Sequence, residues 1–182
     1  MNDQLLPPDW VTPASRKSLR LSAFDYGEDG MYFITVCTYQ RACLLGAIDD
    51  GVVGLSRAGE IVDACWRDIP RHFPSVQLDE YVVMPNHLHG IIVIGAVGNG
   101  QASDNGRPLM SNIVGRFKGA SSREIRRMAG CGAVRAWQRT FYDHVIRSER
   151  ALGDIRQYIV DNPLSWELDE ENPTRRNGRS EV

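Results

Sequence analysis

Hydrophobic positions in the first half of this chain follow a strand-like and then a helix-like spacing. Residues 31–40 are an unbroken run of mainly aromatic and β-branched side chains, which predicts a β-strand. A turn or small hairpin is expected around Asp50 and Gly51. Apolar residues then recur at helical spacing from Ser56, which can cap the helix, to about His72. The first half is therefore expected to contain a strand, a turn and a helix.

The middle of the chain predicts a β-hairpin. Residues 76–84 and 87–95 have the composition of strands, and the pair Pro85 and Asn86 between them is a turn signal. A loop rich in glycine, asparagine and serine follows the second strand. The two strands are therefore expected to be antiparallel neighbours in one sheet.

The last part of the chain predicts helices on either side of an extended segment. Residues 109–130 have the pattern of one or two basic helices, weakened by two internal glycines, and residues 133–147 look extended. Ser148 can cap a final helix. That helix is expected to end at Asn162, because a residue that precedes proline is biased away from helical geometry.

The order β-α-β-β-α-β-α, with one or two helices in the fifth position, predicts the fold class α+β. We expect a single domain in which an antiparallel sheet carries packed helices on one or both faces. The length of 182 residues suits one domain with a sizeable core. The expected boundaries are a flexible N-terminal segment over 1–15, the domain over 16–168 and a polar tail over 169–182.

Composition argues against membrane and disulfide-rich proteins. The longest apolar run, residues 90–98, is shorter than the roughly 20 residues that cross a bilayer. The N-terminus does not have the basic and then apolar order of a signal peptide, so we expect a cytoplasmic protein with no membrane association. The four cysteines form no CxxC pair and no zinc-finger spacing, and free thiols are expected.

The distribution of charge is more informative than the net charge of −2. Residues 107–156 contain eleven basic side chains, ten of them arginine, against four acidic ones. Arginine is well shaped to bind phosphate in a bidentate way. The basic half therefore indicates either a surface that binds a polyanion or an ordinary solvated helix face, and charge alone does not choose between them.

His87 and His89 stand one residue apart in a predicted strand. Residues i and i+2 of a strand point to the same face, so the two imidazoles are expected to point to one place. Two neutral imidazoles supply half of a coordination shell for a metal ion. The alternative is two ordinary polar residues at a strand start beside a turn, and the pattern alone leaves both interpretations open.

Tyr158 and Asn162 lie four residues apart at the end of the last predicted helix. They would share one face if the helix extends that far. A phenol is an oxygen nucleophile, and an amide oxygen is a hard metal ligand. Tyr158 could equally pack in the core beside Ile155 and Ile159, so the spacing does not decide its role.

Several motifs together resemble one family. "YVVMPNHLHGIIVI" is followed by a loop, a basic helix, "WQRTFYDHVIR" and "IRQYIVDNP", which is similar to the order in single-tyrosine HUH transposases. The opening, "SRKSLRL" and then "FDYGEDGMYFITVCTYQR", is similar to one branch of them, the REP-associated tyrosine transposases. The resemblance extends over roughly residues 15–168.

The resemblance implies a site and a fold. It implies the ferredoxin-like fold of HUH nucleases, with His87 and His89 as metal ligands on either side of Leu88. Tyr158 matches the family's nucleophilic tyrosine, and Asn162 matches a further metal ligand one turn later. The ion implied is Mg²⁺ or Mn²⁺, which suits phosphate chemistry with an amide oxygen ligand.

The resemblance also implies a reaction and a partner. A DNA transposase of this kind cleaves and rejoins single-stranded DNA near hairpin sequences through a 5′-phosphotyrosine intermediate. Trp137, Phe141 and Tyr142 could stack on bases, although core packing is the more common fate of such aromatic residues. The expected DNA-binding side chains are Arg16, Lys17, Arg20, Arg116, Lys118, Arg123, Arg126, Arg127 and Arg139.

Two other functions are compatible with the sequence. One is a hairpin-DNA-binding regulator that has lost catalysis, and the other is a metal-dependent hydrolase in which Tyr158 is a core residue and zinc activates water. Oligomeric state is also open. The resemblance includes dimers whose tyrosine helix serves the partner's histidines and monomers that act in cis, so a homodimer is a possible partner state.

Overall fold

The computed structural model describes residues 29–95, 108–130, 134–168 and 172–173. The expected DNA contacts Arg16, Lys17 and Arg20 lie outside the described residues, as does Cys131. The N-terminal segment and most of the polar tail also lie outside them. The strands are β1 (Gly30–Cys37), β2 (Gly46–Asp49), β3 (Val52–Leu55), β4 (Val76–Met84), β5 (His87–Ile94) and β6 (Tyr142–Ile146), and the helices are α1 (Arg57–Arg67), α2 (Ile69–His72), α3 (Met110–Ala129) and α4 (Glu149–Asp161).

Four strands form one antiparallel sheet in the order β4-β5-β1-β6, and β2 pairs with β3 in a separate hairpin. The elements β1, α1, β4, β5, α3 and β6 follow the β-α-β-β-α-β order of the ferredoxin-like fold, into which the small hairpin and α2 are inserted. The prediction of a single α+β domain with an antiparallel sheet is confirmed.

Helices cover both faces of the sheet. On one face, the apolar side chains of β1 and β5 pack against α1 and α3, with Trp66 in edge contact with Phe117. A Cβ on Gly90 would lie 2.5 Å from Trp66 Cζ2, so the glycine permits the close approach of this indole to the sheet. On the other face, Phe33 and Ile91 pack against the apolar stripe of α4. His87 and His89 belong to this second face because side chains alternate along a strand.

Helix α4 is attached to the sheet at both its apolar stripe and its polar side. Ser148 caps it by accepting a hydrogen bond from the Ala151 N–H, as its sequence position predicts. Arg156 donates to both carboxylate oxygens of Asp79 on β4, at 2.8 and 2.5 Å. This hydrogen-bonded pair holds the pKa of Asp79 below its usual range. The helix that carries Tyr158 is therefore attached to its own sheet.

Several predicted boundaries differ from the structure. Strand β1 ends at Cys37, and a 3₁₀ turn over Tyr39–Arg41 replaces its expected last residues. Gln40 and Arg41 in this turn have positive φ angles, 54° and 57°, which local composition does not reveal. The expected helix 56–72 is divided at Asp68. Within the predicted range 109–130, Met110–Ala129 form one 20-residue helix despite the two glycines, because burial of its apolar stripe outweighs their low propensity.

The final helix ends at Asp161, but the expectation for Asn162 itself is wrong. Asn162 keeps helical angles, φ −57° and ψ −42°, although Pro163 follows it. The turn continues beyond the proline because the Ser165 N–H donates to the carbonyl oxygens of Asp161 and Asn162. Among the described residues, no helix has the length and apolar content needed to cross a membrane.

Candidate metal and tyrosine site

His87 and His89 project from the start of β5 on the face that α4 covers. Their ring centroids are 4.4 Å apart, and the residues are 1% and 5% exposed. Across the sheet, His87 lies opposite Cys37 and His89 lies opposite Thr35 of β1. The two imidazoles are thus close together, in surroundings from which most water is excluded.

Asn86 fixes the orientation of the first imidazole. Its side-chain oxygen lies 2.7 Å from His87 Nδ1, and its Nδ2 donates to the Arg41 carbonyl oxygen at 3.3 Å. Because an amide oxygen can only accept, the His87 proton is on Nδ1 and the lone pair is on Nε2. A hydrogen bond to the other ring nitrogen is how proteins usually orient a histidine that binds a metal.

Thr35 and Phe33 support the second imidazole. The Thr35 hydroxyl oxygen lies 2.9 Å from His89 Nδ1, and the Phe33 ring stacks on the imidazole with centroids 5.2 Å apart. Burial, with a smaller effect from the charge of Arg41, lowers the pKa of His89 to about 3. His89 is therefore neutral at pH 7 and keeps a lone pair for a metal ion or a proton.

Tyr158 brings its hydroxyl to the same place. The hydroxyl oxygen lies 3.5 Å from His89 Nε2. This distance is longer than that of an ordinary hydrogen bond but close to van der Waals contact. The ring packs edge-on against Phe33, with centroids 6.1 Å apart. Tyr158 is half-buried, so it packs at the margin of the α4 core while presenting its phenol to the histidines.

Asn162 lies one helical turn after Tyr158 and is 4% exposed. Its helical angles keep it on the same side of α4 as the tyrosine. Its side-chain oxygen is buried and accepts no hydrogen bond from any described residue. A buried amide oxygen without a donor is costly unless something else satisfies it, and a hard cation would do so. Trp166 covers this end of the site, with its ring centroid 6.3 Å from that of His87.

The donor set combines two imidazole nitrogens with one hard oxygen donor. Two imidazole nitrogens and one amide oxygen are available, and no cluster of three or more histidine, cysteine, aspartate or glutamate side chains occurs in the described part of the chain. Catalytic zinc sites ordinarily use three ligands from those four residue types. The described residues therefore lack the third ligand of an ordinary catalytic zinc site, while the amide oxygen is a donor that suits Mg²⁺ or Mn²⁺.

The expected DNA-binding side chains are divided among several environments. Arg126 and Arg139 are exposed and line one groove beside α3. Lys118 reaches the same groove, but its ammonium donates to the carbonyl oxygens of residues 138–140 at 2.6, 3.1 and 3.3 Å. That ammonium therefore holds the backbone of residues 138–140 against α3. The remaining three arginines of α3 lie outside this groove: Arg116 contacts His72, Arg127 pairs with Glu124, and Arg123 extends over Gly119.

Aromatic residues near the groove are mostly structural. Trp137 is buried, and its Nε1 donates to the Ser121 hydroxyl at 2.9 Å. Phe141 packs against the core on the α3 side, and Tyr142 packs against the core on the α4 side. Base stacking by Trp137 is therefore incompatible with its position in the fold.

The sequence interpretation missed three supporting residues. The sequence predicts Asn86 only as a turn residue, although its position next to the histidine pair is a signal of its role. Thr35 is found only through the pairing of β1 with β5, which local sequence does not fix. Arg135 was counted in the basic region without a specific role, because nothing in its neighbours indicates that it lines the groove.

Known proteins share the fold of this chain, and one of them also shares its family. A solved structure, a REP-associated tyrosine transposase bound to a REP hairpin, has a TM-score of 0.50 and 21% identity over 75% of this chain and 68% of its own. The present chain thus has the fold of that class of transposase, and the resemblance recognised in the sequence is confirmed at the level of fold. No family model matches the chain. It is 37% identical over 167 residues to an uncharacterized Haemophilus influenzae protein, covering 85% of this chain and 92% of that protein, and it belongs to the same family.

Proposed function

We propose that this protein is a transposase that cleaves and rejoins single-stranded DNA through a covalent bond to Tyr158. The observation that carries the proposal is the 3.5 Å distance between the Tyr158 hydroxyl and His89 Nε2. This distance places the phenol beside one of the two buried imidazoles that would hold the metal ion, where an attacking oxygen is needed. The transposase fold supports the same reaction class.

His87, His89 and Asn162 would hold the divalent ion, Mg²⁺ or Mn²⁺. When bound, such an ion supplies charge that polarises the scissile phosphate and offsets the charge developing in the transition state. Asn86 and Thr35 hold the two rings in place, so the donors are oriented before DNA arrives. The buried surroundings exclude water, which strengthens these interactions and protects the intermediate from hydrolysis.

The chain itself performs a transesterification. The Tyr158 oxygen forms a bond to phosphorus while the bond from phosphorus to the 3′ oxygen breaks, and the DNA is left with a free 3′-OH and a 5′-phosphotyrosine. The phenol loses its proton to solvent and the 3′ oxygen gains one. One phosphodiester replaces another, so the step is reversible and needs no ATP. Rejoining is the reverse reaction with a second 3′-OH.

Hairpin DNA is the partner that best fits the charge. The structural neighbour is bound to a REP hairpin, and this chain has a basic α3 with exposed arginines. Arg16, Lys17 and Arg20 stay predicted contacts. The attachment of α4 to its own sheet by Arg156 and Asp79 supports catalysis in cis, while a homodimer and a cytoplasmic location stay predictions.

A covalent-adduct assay tests this proposal. The protein is incubated with hairpin DNA carrying a labelled single-stranded flank and Mg²⁺ or Mn²⁺, then denatured and separated by size. The wild type is expected to give a labelled protein band, which Tyr158→Phe abolishes. Tyr142→Phe is the matched control because Tyr142 is a half-buried tyrosine packed on the same face of the sheet.

The two alternatives give different results in the same assay. A regulator without catalysis would bind the hairpin and give no band and no cleavage. A hydrolase would cleave the DNA without forming an adduct, and Tyr158→Phe would still cleave.

A further inference from the structure

A groove lined by several basic side chains lies between α3 and residues 134–139, and we call it the α3 groove. Its volume is about 430 Å³. Lys118 and Arg126 line it from the helix, and Arg135 and Arg139 line it from the other wall. No aspartate or glutamate is among its lining residues. A groove with one sign of charge concentrates an anionic ligand.

The walls of the α3 groove are held by hydrogen bonds, and its arginines are left available. Lys118 donates to three consecutive carbonyl oxygens of the facing segment, and the Trp137 indole donates to Ser121 of α3. Arg126 and Arg139 are exposed and form no ion pair with another described residue. The lysine therefore fixes the shape of the groove, while the arginines face what enters it.

Arg135 adds a flat surface at the rim. Its guanidinium lies 4.5 Å from the centroid of the Tyr39 ring, and Tyr39 is 36% exposed. A guanidinium stacked on an aromatic ring is a planar platform that accepts an unstacked base. The rim thus offers a base contact beside the phosphate contacts of the groove.

Backbone pairing connects the wall of the α3 groove to the strand that carries the histidines. The Gln138 N–H donates to the Cys37 carbonyl oxygen at 3.0 Å, and Cys37 is the cross-strand partner of His87. Adjacent extended chains are spaced by about 4.8 Å, so the wall that carries Arg139 runs about 10 Å from the backbone of His87. The imidazoles point to the α4 face and α3 packs on the other face, so a DNA strand that contacts both the groove and the site passes around this end of β1.

The Arg135 platform beside the groove favours a single strand, because a single strand offers an unstacked base. A volume of about 430 Å³ is in the range of sites for small molecules, so the groove encloses about one or two nucleotides of a strand. We propose that the α3 groove binds the single-stranded DNA that adjoins the scissile phosphate, with Arg126 and Arg139 on the phosphates and Arg135 stacked on a base. The identity of the polymer rests on the function proposed above.

The test measures binding without chemistry. Fluorescence anisotropy in EDTA compares a labelled oligonucleotide of about eight thymidines with a blunt hairpin that has no single-stranded flank. The variant Arg135→Glu/Arg139→Glu is expected to lose at least about tenfold in affinity for the single strand and to keep its affinity for the hairpin. Its salt dependence is expected to become shallower, since each lost phosphate contact lowers the slope by about 0.7.

Arg71→Glu is the matched control. Arg71 is an exposed arginine on α2, at the far end of the sheet, and its pair with Asp68 is a surface pair of small energetic value. This variant is expected to bind both probes as the wild type does, and circular dichroism checks that all three proteins are folded.

Two results would overturn the proposal. Unchanged affinity of the double variant for the single strand would show that the groove is not the site. Loss of hairpin affinity together with single-strand affinity would show that the groove binds nucleic acid without regard to its form. Since no metal is present and no bond is broken, either result is independent of whether Tyr158 forms an adduct.

Discussion

The side-chain oxygen of Asn86 lies 2.7 Å from Nδ1 of His87, and the same amide donates to the Arg41 carbonyl oxygen. The Arg41 carbonyl oxygen thus holds the amide nitrogen of Asn86, and the amide oxygen orients the His87 imidazole. Asn86 connects the 3₁₀ turn with positive φ angles after β1 to Nδ1 of the imidazole, whose other nitrogen, Nε2, would bind the metal. The order of the site therefore depends on a residue that contributes no ligand itself.

Asn86→Leu is expected to weaken metal binding because the His87 proton is no longer fixed on Nδ1. Loss of such an orienting partner ordinarily costs about 10- to 100-fold in metal affinity. Titration of Mn²⁺ followed by electron paramagnetic resonance measures the change. Nitrogen NMR of the metal-free protein is expected to show one tautomer of His87 in the wild type and a mixture in the variant.

Two controls accompany Asn86→Leu. Asn86→Asp keeps an acceptor for Nδ1 and is expected to restore the single tautomer. Ser121→Ala removes a buried hydrogen bond on the opposite face, to Trp137, and is expected to leave Mn²⁺ affinity unchanged. Equal weakening by Asn86→Leu and Ser121→Ala would mean that general loss of stability, and not orientation, is the cause.

Asn162→Leu is expected to have opposite effects on stability and on metal binding. Its side-chain oxygen is buried without a donor among the described residues, so replacing the amide by an apolar group of similar size removes a cost of about 1–3 kcal/mol from the metal-free protein. The same change removes a metal ligand. Urea unfolding in EDTA should show a gain in stability while Mn²⁺ affinity falls. Unchanged Mn²⁺ affinity would place Asn162 outside the metal site.

Asp79 makes stability depend on pH in the acidic range. Its hydrogen bond from Arg156 lowers its pKa in the folded protein, so the folded state binds this proton less readily than the unfolded state. The stabilisation is therefore present above the unfolded pKa of about 3.9 and is lost as pH falls through the folded value. Unfolding measured from pH 7 to pH 3 should show a smaller decline for Asp79→Asn than for the wild type. Asp154→Asn, an exposed change on the same helix as Arg156, is expected to decline as the wild type does.

Gly90→Ala is expected to destabilise the protein by about 1–3 kcal/mol through overpacking. The added Cβ would lie 2.5 Å from Trp66 Cζ2 and 3.0 Å from Tyr81 Cβ, and Trp66 is fully buried and unable to move aside cheaply. Gly153→Ala is the matched control because a Cβ at this helical position meets nothing within 4 Å. That variant is expected to gain up to about 1 kcal/mol from helix propensity. Thermal or chemical unfolding distinguishes the expected loss of stability in Gly90→Ala from the expected gain in Gly153→Ala.

Local sequence was sufficient for the elements and for the direction of the histidines. The hairpin of β4 and β5, the Ser148 cap and the shared face of His87 and His89 follow from periodicity and turn chemistry over a few residues. The continuity of α3 and the helical angles of Asn162 do not, because tertiary burial and the bonds of the following turn override local preferences.

The supporting part of the site depended on pairings between distant residues. Thr35 reaches His89 only in the register of β1 with β5, and Asp79 finds Arg156 across 77 positions of the chain. The distinction between Lys118 and Arg139 is of the same kind. Both are basic in the sequence, but only the fold shows that one ammonium is bound to carbonyl oxygens while the other side chain is exposed.

Mass spectrometry of the adduct tests the central claim most directly. After reaction with single-stranded DNA and Mn²⁺, the protein is digested with nuclease and trypsin. The peptide from residues 157–175 contains Tyr158 as its only tyrosine. The account predicts that this peptide carries a 5′-phosphonucleotide on Tyr158. DNA cleavage with this peptide unmodified, or with the nucleotide on another residue, would contradict it.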